Sequence, residues 1–172
     1  MERITLLSLF IFIGLGVLAT NLMAIDEATV KSAYLYNFAK YTQWPDEQRT
    51  ILRLCAMGDD TLGKSFDDLI GKQVRNMQIS VRHALDLHDI AQCDLVFVPA
   101  GPNIQPLDRV RQAVNGYPIL IVTESIDALP KGALVALIQS GDRIVFEVDL
   151  TAARQLGLQI SGKMLQIARK VY

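Results

Sequence analysis

Residues 51–70 read ILRLCAMGDDTLGKSFDDLI, and the order of their parts decides the fold. Ile51–Met57 is a mostly apolar run of strand length, and Gly58 opens a turn. Leu62, Phe66, Leu69 and Ile70 then recur at i, i+4, i+7 and i+8, which is one helix face. A strand feeding a helix through a short turn is the opening of an α/β unit. The same turn matches G-x-x-x-x-G-K-[ST] at Gly58, Gly63, Lys64 and Ser65, a pattern whose backbone amides cradle phosphates.

Physical arguments set the phosphate reading aside. Asp60 is a good helix cap, which starts the helix at Thr61 and leaves a loop too short to wrap a phosphate. Asp59 and Asp60 would stand beside the triphosphate and repel it. The strand ending VFV is followed by Pro99-Ala100-Gly101, not by a magnesium-binding acid, and Glu124 is the only substitute. Lys64 and Ser65 are therefore expected to face solvent on an ordinary helix.

Outward from this stretch the α/β alternation continues. Strands are expected at Gln78–Arg82, Asp94–Pro99, Pro118–Thr123, Ala133–Gln139 and Arg143–Val148, after the first at Ile51–Met57. Helices are expected at Thr61–Ile70, Ile104–Asn115, Leu150–Leu156 and Gly162–Val171. LVFV and ILIV are continuously apolar, as strands covered on both faces require. The last two strands are separated by Gly141-Asp142, and glycine in first place suits a type II′ hairpin. The fold class is α/β, a mainly parallel sheet flanked by helices and ending in an antiparallel hairpin. Ahead of it, residues 26–44 space Val30, Ala33, Tyr34, Leu35, Phe38, Tyr41 and Trp44 as a helical stripe. That stripe reads as core, or as a Tyr34/Trp44 surface for a protein partner.

The chain has 172 residues, 17 basic and 18 acidic, for a net charge of −1. No basic run marks a nucleic-acid partner. Residues 1–24 read as a secretory signal, with Arg3 ahead of an apolar run and small residues suited to cleavage after Ala19 or Ala24. An uncleaved anchor is the alternative, made marginal by Gly14, Gly16 and Thr20-Asn21. Cleavage removes Glu2 and Arg3 together, so the charge stays at −1. The domain is then 25–172. Export favours one bridge from the two cysteines, Cys55 and Cys93, worth ~4 kcal/mol in the chain-entropy model. Two buried thiols in neighbouring strands are the alternative.

Little catalytic chemistry assembles. His83 and His88 miss the i, i+4 spacing of two ligands on one helix, and with Asp86 and Asp89 they read as a polar connection rather than a metal site. Ser161-Gly162-Lys163 is one residue short of S-x-x-K. No cofactor, metal or enzymatic role is expected. In Arg143–Val148, Arg143, Val145 and Glu147 share one face, and the hairpin register sets Glu147 opposite Ala136 and Phe146 opposite Leu137. Glu147 then either pairs with Arg143 on a solvated face or makes a charged contact with a partner.

VKSAYLYNFAKYTQWP (30–45), LRLCAMGDD (52–60), CDLVFV (93–98), ILIVTES (119–125) and the closing run GALVALIQSGDRIVFEVDLTAARQLGLQISGKMLQIAR (132–169) together resemble the YfiR family of exported bacterial proteins. The resemblance spans nearly all of the mature chain. It implies a periplasmic α/β domain, often dimeric, whose founding member represses an inner-membrane diguanylate cyclase by binding its periplasmic portion. It also implies the Cys55–Cys93 bridge. The founding member's second bridge has no cysteines here, so redox control through it is not expected. The expected function is a non-catalytic periplasmic regulator of a membrane signalling protein. A periplasmic small-molecule sensor, with its ligand at the carboxyl ends of the strands, is the alternative.

Overall fold

The computed structural model describes residues 26–46, 48–58, 61–101 and 106–172. The expected signal segment, the Asp60 cap and the Ile104 helix start lie outside them. Along the chain run α1 (Glu27–Tyr41), β1 (Thr42–Gln43), β2 (Ile51–Met57), α2 (Gly63–Asp67), β3 (Gln73–Val74), β4 (Met77–Leu85) and β5 (Leu95–Val98). There follow α3 (Leu107–Ala113), β6 (Leu120–Thr123), β7 (Val135–Ser140), β8 (Arg143–Val148), α4 (Leu150–Gln155), β9 (Gln159–Ile160), α5 (Gly162–Ile167) and β10 (Lys170–Val171). Short 3-10 turns occupy Ile90–Gln92 and Ile126–Lys131. No helix among the described residues is long and apolar enough to cross a membrane.

Among the described residues eight strands form one sheet in the order β10-β8-β7-β6-β5-β2-β4-β3, and β1 pairs with β9 apart from it. From β4 to β7 every neighbour is parallel. β7 and β8 make the expected antiparallel hairpin, with Ala136 opposite Glu147 and Leu137 opposite Phe146. Gly141 supplies the positive φ, 63°, that the two-residue turn demands. The chain leaves β2 for β4 on one side and returns to β5 on the other, the order reversal of a doubly wound sheet.

Period-two alternation sorts the strands between two cores. Leu52, Leu54, Leu95, Phe97, Leu120 and Phe146 face α1, where Leu35 and Phe38 seal them. Cys55, Val96, Val98, Ile119 and Ile121 face the other way, onto Val110 and Val114 of α3 and the turn carrying Ala128 and Leu129. The crossover from β4 to β5 has no full helix. Its single turn buries Ile90, and a Cys55–Cys93 disulfide pins that turn to β2. The covalent bond thus holds a cover that a longer helix would hold by packing.

Two expected helices are corrected. α2 ends at Asp67, because Leu69 N–H and Ile70 N–H bond to carbonyls three residues back. That tighter winding breaks the 3.6-residue stripe and leaves Ile70 exposed. The second correction is at the end of the described chain. α5 stops at Ile167, Ala168 is extended at ψ 139°, and Lys170–Val171 becomes a strand parallel to β8. The open edge of β8 decides this: Phe146 and Val148 carbonyls accept the amides of Arg169 and Tyr172. The hairpin is therefore not the sheet's edge.

Candidate functional site

The carboxyl ends of β5 and β6 open into a cleft of about 670 Å³. One wall is the first turn of α3, and the other is the 3-10 turn ending at Lys131. The two walls approach closely because residue 132 is glycine. Its φ of 106° suits only glycine, and a Cβ there would stand 2.8 Å from Cγ of Arg111 on α3. Asp108 and Lys131 bring one charge of each sign, and Thr123 and Ser125 bring hydroxyls. These groups can orient a ligand at the carboxyl end of the sheet, one strand over from the order reversal between β2 and β5.

Behind the cleft lies a buried ion pair. Glu124, next after the last residue of β6, takes the Ala100 amide on one oxygen at 2.8 Å and the Lys31 ammonium on the other. Burial alone would lower the Lys31 pKa, but its bonds to Glu124 and Glu27 outweigh that and raise it. Neither Lys31 nor Glu124 stands out in the sequence, since neither falls in a recognisable motif.

Glu147 is only 3% exposed. Its carboxylate accepts from Arg169 Nε at 2.9 Å and from the Tyr172 hydroxyl at 2.8 Å. The expected Arg143 pair on a solvated face is therefore corrected. Arg143 sits at the hairpin turn, whereas β10 lays its neighbours directly over residue 147. Burial pushes the Glu147 pKa up, and the Arg169 and Tyr172 bonds pull it further down, to a net lowering. Arg169 and Tyr172 escape a sequence reading that continues the helix to Val171. The β-branched and aromatic Val171-Tyr172 is the signal against that helix.

Tyr34 and Trp44 do not form one surface. Tyr34 is half-buried on α1, donates its hydroxyl to the Ile144 carbonyl at 2.6 Å and meets Phe146 edge-on at 5.8 Å. It thereby touches the same strand that carries Glu147, but from the opposite face. Trp44, 3% exposed, donates Nε1 to the Asp94 carbonyl at 3.2 Å, at the far end of β5. Asp94 in turn pairs with Arg49 and takes the Arg53 amide at 2.7 Å. This polar knot ties the end of the aromatic segment to the start of β5, one residue from the disulfide.

The phosphate-loop residues stand as ordinary helix residues. Lys64 is exposed, and the Ser65 hydroxyl lies 3.0 Å from that of Thr29 on α1. His83 pairs with Asp67 at 2.9 Å. Among the described residues no three of His, Cys, Asp and Glu converge as a metal site.

Two solved structures share the architecture. A conserved domain protein from Vibrio cholerae O1 biovar El Tor is 11% identical, with a TM-score of 0.54 over 82% of this chain and 60% of its own. The ABC domain in complex with L-Trp from Streptococcus pneumonia is 10% identical, with a TM-score of 0.51 over 84% of this chain and 60% of its own. This chain thus spans 60% of the length of either, and at such identity the likeness is one of fold. Residues 28–169 match the YfiR/HmsC-like family model, from the first turn of α1 to the arginine that caps Glu147, and the chain belongs to that family.

Proposed function

We propose that the protein is a non-catalytic periplasmic regulator that binds a membrane signalling protein and lowers its output. A diguanylate cyclase is the partner that best suits the family, so the output is cyclic di-GMP. The observation that carries this reading is the family match across 28–169, which takes in all but the ends of the described domain. The disulfide suits export behind a cleaved segment 1–24. Glu147 and Tyr34 enter as residues that shape, from beneath, the β8–β10 side of the sheet a partner would meet, and Trp44 as one that sets the end of α1. Self-association into a dimer is compatible with that edge.

Cellular cyclic di-GMP measured with and without the gene tests the reading. Loss should raise the nucleotide, and re-expression with the export segment, not without it, should lower it again. An unchanged level in all strains would contradict it. The second reading is a small-molecule sensor, favoured by the cleft at the carboxyl ends and by the Streptococcus domain described in complex with L-Trp. Titration with free amino acids, followed by amide shifts in α3 and the 126–131 turn, separates the two readings.

A further inference from the structure

One carboxylate serves both the cleft and the first helix. Glu124 directly follows Thr123, which lines the cleft, and it holds the Ala100 amide of the cleft's rim. The same side chain is the buried counterion of Lys31. Lys31 is 9% exposed, and its second partner is Glu27 at 2.6 Å, on the exposed side of the first turn of α1. A desolvated ammonium depends strongly on each of its partners, because losing one leaves a charge poorly compensated in a low dielectric. Beside the pair is a cavity of about 200 Å³ between α1 and the β7–β8 hairpin, bounded by Leu137, Ile138 and Ile144. Lys31 therefore has space into which its side chain can move when Glu124 moves.

We propose that Glu124 is a positioning residue that couples the Ala100 backbone at the cleft's rim to the amino-terminal turn of α1. Its carboxylate satisfies the Ala100 amide and Lys31 together only in one placement. Drawing the Ala100 amide outward takes Glu124 with it and weakens the hold on Lys31, and by linkage a displaced α1 turn weakens the hold on that amide. A change at the cleft is thereby felt on a helix surface that the cleft does not touch. The inference does not depend on which molecule occupies the cleft or which partner the protein binds.

Amide hydrogen exchange, read by NMR on the free domain, tests it. Lys31→Met keeps the aliphatic stem and removes the charge. It should speed exchange at the Ala100 amide by about tenfold, within the range of ordinary site-to-site coupling. Amides of β2 and β5 should not change. Glu124→Gln should speed Ala100 as well, and the double variant should exchange no faster there than Glu124→Gln alone. Should Lys31→Met fail to fold, Glu27→Gln should produce a smaller rise at the same amide. An unchanged Ala100 rate, effects that multiply in the double variant, or a rise shared by the central strands would each overturn the coupling.

Discussion

At position 147 a carboxylate lies buried between the Arg169 guanidinium and the Tyr172 hydroxyl, and removing it strands both. Hydrogen bonds to a charged group contribute about 1.5–3 kcal/mol, and Arg169 recovers part of that because its side chain is 40% exposed. Glu147→Ala should therefore cost about 2 kcal/mol and lower Tm by roughly 4–8 °C in calorimetry. A repressing defect in that variant would then have to be separated from lost stability. The pH dependence has a definite sign. Because the folded pKa is depressed, the stabilisation is fully present above the ordinary glutamate value, about 4.3, and fades as pH falls through the lower folded value. Denaturant titrations of wild type and Glu147→Gln should converge as pH drops below that point. Lys64→Ala, by contrast, should leave stability within about 0.5 kcal/mol and regulation unchanged, since the side chain is exposed on a short helix. Magnesium-dependent ATP binding lost in that variant would contradict this.

Between elements, the disulfide carries the largest single expected effect. Cys55→Ala with Cys93→Ala releases the turn that covers β2 and reopens a loop of 38 residues' separation. The double variant should lose about 2–4 kcal/mol in chemical denaturation. Gly132→Ala should cost more than 1 kcal/mol, through the strained φ and the displaced Arg111 stem, and should splay the walls of the cleft. Much of this level was legible in the sequence. Gly141-Asp142 between two alternating runs specifies a hairpin and its register, and continuous LVFV and ILIV specify buried parallel strands. What was not legible depends on distant partners. Lys170–Val171 is a strand only because β8 offers an unpaired edge, and no local propensity announces that edge. Glu124 and Lys31 stand 93 residues apart in the chain, and neither lies in a motif, so only the packing of α1 against β6 unites them.

For the whole molecule, a doubly wound sheet leaves two places from which to act. One is the cleft at the carboxyl ends of β5 and β6, and the other is the β8–β10 edge, clasped by Glu147. Family membership favours regulation by contact, and the cleft offers a ligand hydroxyls and one charge of each sign. Under the proposed function such a domain would act on a membrane protein through its surface, and that surface is only as well defined as the clasps beneath it. The most direct measurement is binding of the purified domain, residues 25–172, to the periplasmic portion of an inner-membrane diguanylate cyclase from the same cell, with cyclic di-GMP production followed in membranes holding the full cyclase. We predict a saturable complex and a fall in nucleotide production as the domain is added. Failure to bind, with production unchanged at saturating domain for every such cyclase of that cell, would contradict the account.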